Sequence, residues 1–255
     1  MTQTKRFTPL AALAAGLALA ACGGGGGSSD AAQGERTEYE RADDFAKGSP
    51  DAPVTMVEYA SVACGGCAAF HENAMPTIQE YVDSGDVRFV FREMVTGQPQ
   101  LAVAGFMLAR CGADEGRYFD IIDVVFEQQR ALFQAMGEGR ASDQLLSIAR
   151  AAGFTEEEFQ TCLNDEAVLE EVREANDAAV NDGVRSTPTF IVNGVQLDMQ
   201  RSPEGEGGMV YTAAGEPIRD EQGLIPAMPG YSGDSFERII LYFKARAEGS
   251  GETEG

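Results

Sequence analysis

The chain of 255 residues contains no tryptophan, a single histidine, and 19 Lys and Arg against 41 Asp and Glu, for a formal charge of -22. So large an acidic excess argues against a nucleic-acid partner held by phosphate neutralisation and points to a soluble, self-repelling surface. Five cysteines are too few for a disulfide-scaffold protein. Apolar runs are also short: the longest near the N-terminus, Leu10 to Ala21, falls well below the roughly 20 residues needed to cross a bilayer as a helix. What is present is 44% hydrophobic residues and 30 glycines, enough apolar content for a packed core and incompatible with a collagen-like or wholly disordered chain.

The run from Leu10 to Ala21 follows Lys5 and Arg6 and closes on Leu19-Ala20-Ala21-Cys22. It has the length of a signal-peptide core ending on small residues, and it resembles the lipobox of bacterial lipoproteins. That resemblance implies cleavage before Cys22 and lipidation of Cys22; the alternative is an ordinary signal peptide with an incidental cysteine. Gly23 to Gly27, then Ser28 and Ser29, read as a flexible tether. Removing residues 1–21 leaves 17 basic against 41 acidic residues, a charge of -24. The mature protein is therefore expected in the periplasm, an oxidising space, anchored by lipid to the outer membrane.

The segmentation is a signal peptide at 1–21, an anchor and linker at 22–45, one domain at 46–248 and a polar tail at 249–255. Within the domain, Val54 to Ala60 reads as a buried central strand. A helix is expected from Cys64 to Tyr81 and a second strand from Val87 to Phe91. A helical block follows at about 98–180. Thr189 to Val192, the Asn193-Gly194 turn and Val195 to Leu197 form a hairpin. A last helix is expected from Phe236 to Ala247. This order, βαβ then ββα with helices between, is an α/β thioredoxin-like core with an inserted all-helical subdomain.

Cys64-Gly65-Gly66-Cys67 lies just after a strand and opens a helix, where backbone amides and the helix dipole stabilise a thiolate. A second motif, Ser186-Thr187-Pro188-Thr189, stands at a strand entrance, where a cis proline is plausible because proline cannot donate to a ladder. With VEYASVACGGC and VRSTPTFIVNG the chain resembles the DsbA-like branch of the thioredoxin superfamily over about residues 46–247. The resemblance implies a thiol-disulfide oxidoreductase without cofactor or metal. Cys64 would be the exposed nucleophile, Cys67 the buried resolving thiol, and Thr187 and Pro188 the loop that binds substrate. Glu58, six residues before Cys64, would be the buried acid that moves a proton to and from Cys67. A carboxylate in an apolar strand costs several kcal/mol unless partnered, so a use is expected of it; the alternative is an edge strand with Glu58 in solvent. The implied partners are periplasmic Cys-containing proteins and a membrane redox partner, either DsbB-like or an electron donor.

The two glycines between the cysteines depart from the Pro-His of strongly oxidising members. They leave the direction open: a disulfide oxidase, or alternatively a reductase or isomerase, with a non-catalytic thioredoxin-fold lipoprotein as the reading from another class. His71, four residues after Cys67, reads as a helix-surface or packing residue, with tuning of the site as the alternative. Cys111 and Cys162 both point into the helical block; the resemblance implies a structural disulfide, with buried free thiols as the alternative. Zinc is disfavoured because no second close ligand pair exists. Residues 199–230 exceed what the core needs and read either as a flap at the active-site end or as a surface loop.

Overall fold

The computed structural model describes residues 37–203, 208–220, 222–224, 226, 228 and 230–251. The signal segment 1–21, the Cys22 anchor, the glycine tether and residues 252–255 lie outside the described residues.

The chain order is β1 (Phe45–Lys47), β2 (Val54–Ala60), α1 (Gly65–Asn73), α2 (Met75–Asp83) and β3 (Val87–Glu93), then α3 (Pro99–Cys111), α4 (Tyr118–Glu127), α5 (Gln129–Gly137), α6 (Ala141–Ala151), α7 (Glu156–Leu163) and α8 (Glu166–Asn181). It closes with β4 (Thr189–Val192), β5 (Val195–Arg201), β6 (Met209–Ala213), β7 (Glu216–Pro217) and α9 (Gly233–Gly251). The strands form one sheet in the order β1-β3-β2-β4-β5-β6-β7. Among the described strands only β2 and β3 run parallel; paired with β3 on one side and β4 on the other, β2 is an interior strand, and every one of its residues is buried. The thioredoxin-like core with a helical insertion is thus the architecture observed.

Period-2 alternation divides β2 between two cores. Met56 and Ala60 enter the large core with α1, α2 and α9, whereas Val57 and Tyr59 join Val90, Met94, Ala179 and Val184 on the other face. Glu58 shares the face of Met56 and Ala60, toward α1. The Asn193-Gly194 turn closes the β4–β5 hairpin with positive φ at both residues, 45° and 76°, as a two-residue primed turn requires.

Four differences from the sequence reading have physical causes. The helix expected from Cys64 to Tyr81 is broken at Ala74, because Pro76 supplies no N–H to the preceding turn. The ordered fold starts before residue 46: Arg88 holds Glu40 at 3.0 Å and Arg92 holds Asp44 at 2.7 Å, pinning the segment that leads into β1. The described residues of the 199–230 segment include strands as well as loop. β6 pairs with β5 from Leu197↔Ala213 to Arg201↔Met209, and Val210, Tyr211, Ile218 and Met228 are buried, so it extends the sheet. Finally, α9 is longer than expected at both ends. Among the described residues no helix is long and apolar enough to cross a membrane.

Candidate active site

The loop from β2 to α1 is clamped from three sides. The Cys64 amide donates to the Ser61 carbonyl at 3.0 Å, and Ser61 Oγ accepts from the Ala63 amide and donates to the Thr96 carbonyl at 3.0 Å. Gly97, at φ +72°, packs so closely that a Cβ there would stand 2.0 Å from the Ala63 carbonyl oxygen. From the helical block, the buried Gln129 donates through Nε2 to the carbonyls of Val62 at 2.8 Å and Cys64 at 3.0 Å. These contacts hold Cys64 at the N-cap of α1.

Both cysteines of the motif are free; Cys64 is half-buried and Cys67 is 0% exposed. Cys64 Sγ lies 3.3 Å from the carbonyl oxygen of Thr187, whose bond to Pro188 is cis. Thr187 Oγ1 is in turn bonded to Thr96 Oγ1 at 2.6 Å. The Cys64 pKa is lowered to about 5, chiefly by the Cys67 thiol and, against the opposing effect of burial, by the Thr187 side chain and the amides of Cys67 and Gly66. Cys67 is pushed the other way, first by burial, then by its bond to Cys64 and the charge of Glu58. One sulfur is thus prepared as a thiolate and the other held as a thiol, the division that nucleophilic exchange requires. Gly66 permits the close approach of the proline loop: a Cβ there would meet Pro188 Cδ at 3.2 Å, Cys64 Sγ at 3.7 Å and the Tyr231 ring at 3.7 Å.

Beneath the thiols, Glu58 is 0% exposed. Its Oε2 is 2.9 Å from His71 Nε2, while Oε1 has no hydrogen-bond partner. Cys67 and His71 are separated by one helical turn and therefore face the same way. Burial alone would lower the His71 pKa, but the charges and contacts of Glu58 and Asp123 raise it to about 9. Burial raises Glu58, with His71 pulling against it. The two groups lie within ion-pair distance, and each is shifted toward keeping its proton. The His71 side chain is 7% exposed and stacks on Phe126 at 4.1 Å, so of the surface and packing alternatives it is a packing residue, and one that carries a specific bond as well.

Cys64, Cys67, Glu58, Thr187 and Pro188 therefore converge. Cys111 and Cys162 lie apart in the helical block, joined as a disulfide that ties the end of α3 to α7. Sequence reasoning passed over Gln129, Gly97, Thr96 and Tyr231, none of which stands in a motif. The only signal for Tyr231 was the length of the segment before it, which returns the chain to the thiols. Among the described residues no group of three or more His, Cys, Asp or Glu side chains is placed to hold a metal ion.

A family model described as Thioredoxin matches residues 40–210. A Rickettsia bellii protein named "Putative protein-disulfide oxidoreductase" is 30% identical over 158 residues, 61% of this chain and 59% of that protein. A Rickettsia typhi protein of the same description is 29% identical over 157 residues, 61% and 56% of the two chains. The chain thus spans less than two thirds of the length of the curated relatives it matches. Among solved structures, Wolbachia pipientis alpha-DsbA1 superposes with a TM-score of 0.62 at 23% identity, covering 83% of this chain and 96% of that one. Oxidised Bacillus subtilis BdbD gives 0.54 at 18% identity, covering 78% and 92%. These likenesses bear on the fold.

Proposed function

The chain belongs to the thioredoxin family, and from that premise we propose that it is a DsbA-like thiol-disulfide oxidoreductase exchanging disulfides with Cys-containing proteins of the periplasm. The observation that carries the reading is the unequal pair of sulfurs at the start of α1: a half-buried Cys64 lowered to about 5 and a fully buried Cys67 raised. In the oxidising direction a substrate thiolate attacks Cys64 of the Cys64–Cys67 disulfide. The S–S electron pair leaves on Cys67, which takes up a proton, and a mixed disulfide joins substrate to Cys64. The second substrate thiolate then attacks its own sulfur in that bond and releases the Cys64 thiolate. Two electrons pass to the protein and one disulfide to the substrate. Thr187 and Pro188 would present backbone to the substrate chain, and Glu58 would exchange the Cys67 proton.

The stabilised Cys64 thiolate favours the reduced protein and hence an oxidase, re-oxidised by a DsbB-like membrane partner. The glycines at 65 and 66 support the second reading, a reductase or isomerase supplied with electrons. Lipid attachment at Cys22 and residence at the outer membrane belong to the same proposal, supported by the sequence of the N-terminal segment. Equilibration of the Cys64–Cys67 couple against glutathione separates the readings. CxxC proteins span about -270 to -120 mV; a value in the upper half of that range supports the oxidase, and one at or below the lower limit overturns it. Failure of Cys67→Ala protein to trap substrates as mixed disulfides would return the chain to a non-catalytic role.

A further inference from the structure

Cys67 presents a problem of access. Its residue is 0% exposed, and because Cys64 lies against Thr187, a substrate joined to Cys64 would cover the Thr187 and Pro188 side of the site. The thiol must still gain or lose a proton in each half-reaction. On the helical side, a cavity of ≈ 890 Å³ opens between α1–α2 and α4–α5. Its lining includes His71, Asp123 and Gly65 of the CGGC motif, and none of Thr187, Pro188 or Tyr231. His71 reaches from Glu58 at 2.9 Å on one ring nitrogen to Asp123 Oδ1 at 3.6 Å on the other. Nδ1 is buried without a hydrogen-bond partner, while the Asp123 side chain is 45% exposed. The remaining charged groups that line this space are Lys47, Glu72, Glu127 and Arg130, and Phe89, Phe91 and Phe126 pack around the imidazole.

We infer that Glu58, His71 and Asp123 form a proton path between the Cys67 sulfur and the cavity between α1–α2 and α4–α5, open while a substrate occupies the other face. The inference rests on the oxidoreductase reading. When Cys67 leaves the disulfide as a thiolate, the His71 imidazolium gives its proton to the Glu58 carboxylate, which passes it on to Cys67. His71 is then reprotonated through Asp123 from solvent. When Cys67 attacks a mixed disulfide, the same proton travels outward. A rotation of the exposed Asp123 side chain closes the 3.6 Å gap to hydrogen-bond length. His71 and Asp123 act through Glu58 and do not touch the reacting sulfurs, so they are positioning and relay residues.

Two phases of one reaction test this. Reduced full-length protein is mixed with a cysteine peptide carrying a nitrothiobenzoate disulfide. Release of the coloured thiol reports attack by Cys64, and release of peptide, followed by quenching and mass spectrometry, reports attack by Cys67. In native protein the second phase is expected to quicken with pH toward an inflection near the His71 value of about 9. His71→Gln should leave the first phase unchanged, slow the second at least about tenfold, below the roughly 10²–10⁴-fold of a direct acid-base group, and abolish the inflection. Asp123→Asn, at an exposed position that does not endanger folding, should move the inflection to lower pH. The inference is overturned if Asp123→Asn leaves the second-phase profile unchanged, or if both variants slow the two phases by equal factors. A native protein that releases no coloured thiol overturns the oxidoreductase reading, and with it the relay.

Discussion

Cys64 Sγ stands 3.3 Å from the carbonyl oxygen of Thr187, close enough for a thiol to donate to it. Once Cys64 ionises, the same oxygen faces negative charge and the contact turns unfavourable. The thiolate must therefore be stabilised from the other side, and the Cys67 thiol is the largest such contribution. Alkylation of native reduced protein by iodoacetamide should follow an inflection near pH 5. In Cys67→Ala protein that inflection should rise toward the ordinary cysteine range, about 8.5. An inflection near 8.5 in the native protein would leave the site without a prepared nucleophile.

His71 is the only histidine, so a tag-free sample gives one imidazole resonance whose titration needs no assignment. The expected midpoint is about 9, because Glu58 and Asp123 outweigh burial. In Glu58→Gln protein it should fall below that value, since the nearest charge is gone and burial remains. The sign for stability follows from a folded pKa above the unfolded 6.5. The contribution of His71 is fully present below about pH 6.5 and is lost as pH rises through about 9. Denaturant midpoints of the native protein should decline across that window more than those of Glu58→Gln; parallel curves would contradict the ion pair.

The legible part of the site was the part written in contiguous motifs. VEYASVACGGC carried β2, Glu58 and both thiols, because a strand, a helix start and a CxxC leave local marks of period and composition. The hairpin was equally plain from Asn193-Gly194. The contacts that hold the loop were not legible: Gln129 lies 65 residues from the Cys64 carbonyl it binds, and a glutamine in a helix carries no pattern that marks it as buried. The place of His71 on a helix says little of its surroundings, which depend on Asp123 and Phe126 of α4, brought near only by the tertiary fold. The segment beyond Leu197 shows as excess length in the sequence because β6, with Met209 exposed and glycines before it, lacks a clean strand period.

Gly97 and Gly116 offer a comparison that separates backbone conformation from contact. Their φ angles are nearly equal, +72° and +73°, but a Cβ on Gly116 meets nothing within 4 Å while one on Gly97 strikes the Ala63 carbonyl oxygen. Gly116→Ala should therefore cost only the left-handed penalty, about 1–2 kcal/mol. Gly97→Ala should cost more, roughly 2–4 kcal/mol, because backbone must also move. The displaced backbone is that of Ala63 and Cys64, so Gly97→Ala alone should also shift the Cys64 alkylation profile. Equal losses in urea unfolding for the two variants would show that the close approach carries no energy.

Cys111 and Cys162, 51 residues apart in sequence, close a loop that contains α4, α5 and α6. Constraining a loop of that length in the unfolded chain amounts to about 4 kcal/mol on the chain-entropy account, with measured values for native bridges commonly about 2–5. Cys111→Ala with Cys162→Ala should therefore lower unfolding free energy by about 2–4 kcal/mol. It should leave Cys64 alkylation near pH 5 unchanged, because neither residue is among the groups that set that value. The two bridges should also part under reductant. Each bridge pairs a half-buried cysteine with a buried one, so burial does not separate them; the stabilised Cys64 thiolate does, because it favours the reduced form of the Cys64–Cys67 couple. Mass spectrometry after graded dithiothreitol and alkylation should show two modified cysteines well before four. Simultaneous modification of all four would mean that the helical block opens as readily as the site reacts, and that the Cys111–Cys162 bond contributes little to holding α3 against α7.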